Sequence, residues 1–194
     1  MNKSPIILAS ASPRRVELLQ QIHVDFIQQS ADIDETHQAH ESPEQFVKRL
    51  SLEKAQAIEL SNPKKLAVLG LDTIVVIDDV ILGKPIDNSH AAEMLMLLSG
   101  KTHQVMTAVT LITNGQIKTI VNISNVTFMI LNKKIIEAYL QTGESFGKAG
   151  AYAIQGMAGQ FVTEIQGSYS SIMGLPLYET RQLLDESGIA VLGS

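Results

Sequence analysis

The segment Ser10-Ala11-Ser12-Pro13-Arg14-Arg15 has the residue types and spacing of an anion-binding helix start. It follows a short apolar run and precedes an apolar-periodic stretch, so Ser12 is placed to cap a helix and Pro13 to occupy its first turn. A helix start offers backbone N–H groups to an anion, and two neighbouring arginines would add charge-assisted hydrogen bonds. The segment therefore indicates an anion site, although an ordinary capped helix with solvated arginines fits the spacing equally well.

Asp72 is the single charged residue in the apolar run 66–77. A carboxylate in such a strand needs an edge position or a cationic partner, because burying it unpaired costs several kcal/mol. A metal ion or a lysine would serve, and we favour a functional role over a purely structural ion pair. Gly70, two residues earlier, predicts room for a ligand to approach the strand backbone.

Two lysines are weaker candidates for contacts to phosphate. Lys84 follows a short predicted strand, within Gly83-Lys84-Pro85, and Lys54 lies on a predicted helix face. An ammonium group binds phosphate as a point charge. Taken alone, each lysine is more simply interpreted as a solvated surface residue.

The elements that must position these groups are alternating strands and helices. Ser42-Pro43-Glu44-Gln45 is typical of a capping box, and Asn114-Gly115 is the strongest hairpin signal in the chain. Asp78-Asp79 predicts a second tight turn. The hairpins make the expected sheet mixed rather than purely parallel, and the fold class α/β. Strands are predicted at 6–9, 23–29, 66–77, 80–82, 104–113 and 116–126, and helices at 13–22, 43–60, 90–98, 133–141 and 177–187.

Composition excludes several classes of protein. A net charge of −5 argues against coating a nucleic-acid backbone, and no apolar run approaches the ~18 residues of a membrane span. We therefore expect a cytoplasmic protein with no stable nucleic-acid or membrane partner. The chain has no cysteine, which rules out disulfides, thiolate zinc sites and cysteine nucleophiles. The sequence contains neither the P-loop motif G-x-x-x-x-G-K-[ST] nor the Rossmann motif G-x-G-x-x-G, and it contains no H-E-x-x-H motif.

These residues together resemble the Maf family of nucleotide pyrophosphatases, which takes its name from a septum-formation phenotype. The resemblance covers nearly the whole chain, in order and at similar spacing. The matching motifs are LASASPRR at 8–15, Asp34-Glu35, Arg49-Leu50, Lys54-Ala55, GLDT at 70–73, Gly83-Lys84-Pro85, KAGAYAIQG at 148–156, Gly167-Ser168-Tyr169 and Gly174-Leu175-Pro176.

The resemblance implies a fold, a reaction and a set of site residues. The expected fold is a single domain over residues 1–194, with an elongated mixed sheet flanked by helices and two lobes around a central cleft, similar to inosine-triphosphate pyrophosphatases. The implied reaction is hydrolysis of a nucleoside triphosphate to the monophosphate and pyrophosphate by a homodimer, with Mg²⁺ or Mn²⁺. Asp72 is the implied proton acceptor, and Glu35 and Asp72 are the implied metal ligands. The implied phosphate-binding residues are Ser10, Ser12, Arg15, Lys54 and Lys84.

Three positions distinguish branches of the family. The branch that prefers 7-methyl-GTP usually has an aromatic residue at the position of Arg14, a glutamine at that of Thr73 and a glutamate at that of Gln155. This chain has the pattern of the dTTP/UTP branch. Uracil and thymine present two carbonyl acceptors around one imide N–H, and the Gln155 amide can both donate and accept there, whereas the two adjacent donors of guanine suit a carboxylate.

Two alternatives remain beside the dTTP/UTP prediction. One is a 7-methyl-GTP pyrophosphatase of the same family, which the three branch positions disfavour. The other is a non-catalytic nucleotide-binding regulator of cell division, which the retained Asp72 disfavours. Ala153 and Gln166 depart from residues common in relatives, which bears on affinity and substrate range more than on activity.

Overall fold

A computed structural model of the chain describes residues 5–189 and Val191. The strands are β1 (Ile6–Ala9), β2 (Phe26–Gln28), β3 (Val68–Ile77), β4 (Val80–Leu82), β5 (Thr102–Thr113), β6 (Gln116–Phe128) and β7 (Val162–Gln166). The α-helices are α1 (Pro13–Gln21), α2 (Pro43–Glu59), α3 (Asn88–Leu98), α4 (Lys133–Leu140), α5 (Tyr169–Met173) and α6 (Leu177–Glu186), and two short 3₁₀ segments lie at Ala149–Ala151 and Met157–Phe161.

The seven strands form one mixed sheet with the order β2-β1-β3-β5-β6-β7, and β4 pairs with β3. Strand β1 runs parallel to β2 and to β3. Strand β4 runs antiparallel to β3, and β7 runs antiparallel to β6. The predicted α/β class with a mixed sheet is therefore confirmed. The turn between β5 and β6 is at Asn114-Gly115, whose φ angles are 51° and 75°, which suits the type of turn that a two-residue hairpin needs.

Contacts divide the chain into two compact units. Unit 1 contains residues 1–72, 107–122 and 174–194, and unit 2 contains residues 73–106 and 123–173. The prediction of a single domain over 1–194 stays a prediction, and residues 1–4, 190 and 192–194 within it lie outside the described residues. Unit 1 has a core of Ile7, Ala9, Ala55, Ile58, Val68 and Ile112. Unit 2 has a core that includes Leu95, Phe128, Tyr152 and Phe161.

Helix α2 begins as the sequence predicts. Ser42 Oγ accepts a hydrogen bond from Gln45 N at 3.3 Å, and Ser42 N donates to Gln45 Oε1 at 2.8 Å. Pro43 lies in the first turn. These reciprocal bonds satisfy donors that the first turn leaves without helical partners.

Gly70 has a different role from the predicted one, so the expectation of a ligand beside it is wrong. A Cβ at residue 70 would lie 2.7 Å from Ala55 N and 2.8 Å from Ala55 Cβ, and it would also meet Ser51 O. The missing side chain therefore admits the backbone of α2, not a ligand. This contact lets α2 lie directly on β3.

We expect Gly70→Ala to destabilise the protein by about 1–3 kcal/mol, because a well-packed contact must open to admit a methyl group. Urea unfolding would measure the change in the free energy of unfolding. Gly83→Ala is the matched control, because a Cβ there meets no atom within 4 Å among the described residues. Equal stability of the two variants would contradict the close contact between α2 and β3.

His103 is buried in the core of unit 2. Its Nε2 lies 2.8 Å from the Tyr152 hydroxyl, and its ring makes an edge contact with Phe128 at 5.0 Å between centroids. The Nδ1 atom has no hydrogen-bond partner among the described residues. Burial lowers the pKa of His103 to about 4, so the folded protein holds the neutral imidazole in moderately acidic solution.

The buried His103 predicts an acid-dependent loss of stability. Between pH ~6.5 and pH 4 the unfolded chain binds a proton at this residue that the folded protein does not, so the free energy of unfolding falls as the pH falls, by up to about 3 kcal/mol. We expect urea unfolding at pH 7 and pH 4.5 to show this difference and His103→Gln to reduce it. His23→Asn, at an exposed position, should keep the pH dependence of the unsubstituted protein.

Candidate active site

Asp72 lies in β3 inside the sheet, and its cationic partner is Lys54 of α2. Lys54 Nζ is 2.6 Å from Asp72 Oδ1 and 2.6 Å from Glu35 Oε1. One ammonium group therefore joins two carboxylates. The side chains of Lys54 and Asp72 are 12% and 10% exposed, whereas that of Glu35 is 44% exposed, so solvent reaches the group from the Glu35 side.

The packing of α2 on β3 explains why Lys54 reaches Asp72. Ala55, the next residue on α2, lies against Gly70, two residues before Asp72 on β3. A larger residue at position 70 would push away the helix that carries the lysine. Lys54 and Asp72 are 18 positions apart along the chain, and this packing of helix on strand brings them together.

Arg49 holds the loop that carries Glu35. Its Nη2 donates to Thr36 O at 3.0 Å and its Nε donates to Glu41 Oε1 at 2.7 Å. Asp34 Oδ1 accepts from Thr36 N at 2.9 Å, which closes the turn around Glu35. The hydrogen bond from Arg49 lowers the pKa of Glu41. Helix α2 therefore supplies both Lys54 and the anchor of the Glu35 loop.

Arg15 is a partly buried cation whose guanidinium is bound by oxygens of the protein. Its Nη1 donates to Ser10 Oγ at 3.0 Å and to Leu71 O at 3.1 Å, and its Nε donates to Gly174 O at 3.0 Å. Burial lowers the pKa of Arg15 to about 10, against the opposing effect of the Asp72 charge. The guanidinium therefore stays charged at neutral pH and places a fixed positive charge near Asp72.

The start of α1 is at Pro13, as predicted, but the predicted side-chain cap is wrong. Ser12 occupies the N-cap position, and its side chain makes no capping hydrogen bond to the described residues. Its backbone N donates instead to Ser10 Oγ at 3.2 Å, so Ser10 organises this turn. Arg14 is half-buried, and burial lowers its pKa.

The other three candidate residues belong to unit 2. Thr73 directly follows Asp72 on β3 and is half-buried, whereas Lys84 and Gln155 are exposed. The carbonyl of Gly83, beside Lys84, accepts from Gly150 N at 3.1 Å. This bond joins the segment after β4 to the segment that leads to Gln155.

No cluster of three or more His, Asp or Glu residues that could hold a metal ion occurs within residues 5–189 and Val191. Two carboxylates, Glu35 and Asp72, do converge on one point, which Lys54 Nζ occupies. That donor set fits Mg²⁺, which binds proteins through one or two carboxylates and takes its other ligands from substrate phosphates and water. No described helix is long and apolar enough to cross a membrane.

A model of the Maf-like protein family matches residues 5–187, a range that includes every candidate site residue. The chain belongs to this family. It is 52% identical over 188 residues to a dTTP/UTP pyrophosphatase of Aliivibrio fischeri, covering 95% of this chain and 98% of the relative. It is 51% identical over 179 residues to one of Salmonella typhimurium, covering 92% and 91%.

A solved structure resembles this Maf-like chain more weakly. The nucleoside-triphosphatase (dITP/XTP pyrophosphatase) of Mycobacterium abscessus covers 64% of this chain and 74% of its own, with 16% identity and a TM-score of 0.46.

The structure of this Maf-like protein brings together five of the predicted site residues in unit 1, namely Ser10, Arg15, Glu35, Lys54 and Asp72. Ser12 and Arg14 adjoin them at the start of α1. Sequence reasoning gave no role to Arg49, although the residue lies in a matching motif. It also missed the carbonyls of Leu71 and Gly174 that anchor Arg15, because backbone acceptors leave no signal in a sequence.

Proposed function

We propose that this Maf-like protein hydrolyses dTTP and UTP to the monophosphate and pyrophosphate. The observation that carries the reaction is the group of Asp72 and Glu35 around Lys54, with the partly buried Arg15 nearby. Cleavage of a phosphoanhydride needs a carboxylate that activates a water molecule and, beside it, cations that bind the phosphate oxygens. The proposed substrates follow from identity of about half the chain to relatives named dTTP/UTP pyrophosphatase.

Asp72 is the proposed general base. It orients a water molecule for in-line attack on the α-phosphorus and accepts its proton, while the bond from the α-phosphorus to the bridging oxygen breaks and pyrophosphate leaves. Lys54 Nζ has three N–H donors and uses two of them on Asp72 and Glu35, so it can donate the third to a phosphate oxygen. Each carboxylate has a second oxygen besides Glu35 Oε1 and Asp72 Oδ1, which contact Lys54. Through these second oxygens Glu35 and Asp72 would hold Mg²⁺ or Mn²⁺, which would supply positive charge to the phosphate oxygens.

The remaining residues have proposed roles in binding. Arg15, with Ser10 and Ser12 at the start of α1, and Lys84 bind the triphosphate, where positive charge stabilises the charge that develops on the leaving pyrophosphate. Gln155 reads the imide edge of the base by donating one hydrogen bond and accepting another. Arg14 and Thr73 are the other proposed determinants of the base.

Pyrophosphate release from a panel of triphosphates tests this proposal. The panel contains dTTP, UTP, dCTP, GTP and 7-methyl-GTP, each with Mg²⁺ and then with Mn²⁺. We expect dTTP and UTP to be turned over with the highest kcat/KM. A preference for 7-methyl-GTP would place the protein in the 7-methyl-GTP branch of the family. Absence of turnover by folded protein would favour a nucleotide-binding regulator of septum formation.

The homodimer and the cytoplasmic location stay predictions. Sedimentation of the purified protein tests the first, and fractionation of cells tests the second. A gel shift with DNA at low salt tests the prediction that the protein has no stable nucleic-acid partner, since electrostatic binding would be strongest there.

A further inference from the structure

Glu144 makes contacts that the proposed chemistry does not use. Its Oε2 accepts a hydrogen bond from Met157 N at 2.9 Å, and its Oε1 accepts from Ala158 N at 3.2 Å. These are the first two backbone N–H groups of the 3₁₀ segment Met157–Phe161. One carboxylate, 13 positions away along the chain, therefore holds the backbone just after Gln155.

The same carboxylate lies against Gly156, the residue between Gln155 and Met157. Its φ of −107° and ψ of −151° are open to any residue, so backbone conformation does not require glycine. A Cβ there would lie 2.5 Å from Glu144 Cδ and 2.6 Å from Glu144 Oε1. A side chain at position 156 would therefore displace the Glu144 carboxylate from its present place.

Gly156 is also the last residue of the turn that carries Gln155. Gly156 N donates to Ala153 O at 3.0 Å, which makes Ile154 and Gln155 the two central residues of a tight turn. Ile154 is buried in the core of unit 2, whereas Gln155 is exposed. The turn is thus fixed by the core at one central residue and presents the amide at the other.

The core also fixes Glu144 itself. The Tyr139 hydroxyl donates to Glu144 Oε1 at 3.0 Å, and the buried Tyr139 ring packs against Phe161 at 5.2 Å between centroids. Burial raises the pKa of Tyr139, and the Glu144 charge adds to the effect. The phenol therefore keeps its proton and remains a donor to the carboxylate.

We propose that Glu144 is a positioning residue for base selection, which holds the turn that presents the Gln155 amide to the base. This inference rests on the proposed function, because it presupposes that Gln155 reads the base. A side chain that discriminates bases by paired hydrogen bonds must be positioned to within a fraction of an ångström. Because an exposed side chain on a tight turn has few packing contacts of its own, its position depends on that of the turn backbone.

Glu144→Gln tests the proposal with little change in side-chain volume. An amide has only one acceptor oxygen, so its NH₂ group must face one of the two backbone N–H groups and the turn must shift. We expect the ratio of kcat/KM for dTTP to that for GTP to fall about tenfold, mainly through a higher KM for dTTP. Glu137→Gln is the matched control, since Glu137 is an exposed residue of α4 that pairs only loosely with Lys133, at 3.7 Å.

The decisive comparison places Glu144→Gln in a second background, Gln155→Ala. If Glu144 acts through Gln155, the substitution lowers the dTTP preference of the wild-type background and leaves that of the Gln155→Ala background unchanged. Gly156→Ala displaces the same carboxylate without removing its charge, so it should lower the preference in the same way. It also serves as the probe if Glu144→Gln does not fold.

Four outcomes overturn the inference, and one of them overturns the proposed function as well. A wild-type protein that shows no preference for dTTP or UTP refutes both. A selective wild-type protein whose preference falls in Gln155→Ala but survives in Glu144→Gln and Gly156→Ala refutes only the role of Glu144. Additive losses of dTTP preference in the double variant would show that Glu144 does not act through Gln155. Equal losses of kcat/KM for every triphosphate would show that Glu144 has only a structural role.

Discussion

Asp72→Asn is expected to lower kcat/KM for dTTP and UTP by about a thousandfold or more. General-base catalysis contributes roughly 10²–10⁴-fold, and an amide cannot accept the proton of the attacking water. The amide keeps the size of the carboxylate, and Lys54 keeps its ion pair with Glu35, so we expect a folded protein. Pyrophosphate release, with circular dichroism to check the fold, measures both effects.

Asp78→Asn is the matched control for that experiment. Asp78 lies in the turn between β3 and β4, its side chain is 73% exposed, and its contact with Lys101 is long, at 3.4 Å. An exposed pair of this kind contributes little to stability, and we expect activity close to that of the unsubstituted protein. Substantial turnover by a folded Asp72→Asn protein would refute the assignment of Asp72 as the base.

Lys54→Met is expected to lower kcat/KM by about a hundredfold and to destabilise the protein. The substitution removes a positive charge proposed to stabilise the transition state, where one lost donor costs about 10²–10³-fold. It also leaves Asp72 buried without its ammonium partner, and breaking a buried pair costs about 3–5 kcal/mol. Steady-state kinetics and urea unfolding would measure the two effects separately.

A control on the same helix and a double variant sharpen the result. Lys48→Met removes a lysine of α2 whose side chain is 46% exposed and which pairs with Glu44, so little change is expected in either measurement. Adding Asp72→Asn to Lys54→Met removes the unpaired buried charge, so part of the lost stability should return while activity stays low. Destabilisation in Lys48→Met equal to that in Lys54→Met would contradict the buried pair.

Features set by neighbouring residues could be predicted from the sequence. The capping box at Ser42 needs only residues three positions apart, and the hairpin turn at Asn114-Gly115 needs only two residues that tolerate positive φ. The mixed sheet followed from counting hairpins among the strands. Strand β7 was missed because four of its five residues are exposed, so it lacks the apolar alternation that marks a half-buried strand.

The sequence indicated which residues carry the chemistry, but not how they meet. It identified Asp72 as a carboxylate that needs a cation, because the cost of burying an unpaired charge follows from residue type and local hydropathy alone. Tertiary structure decided that the cation is Lys54, that Gly70 admits a helix and not a ligand, and that Arg15 is anchored by two backbone carbonyls. The physical reason is that these contacts depend on distances across packed elements, and a linear pattern encodes only the residues near each other along the chain.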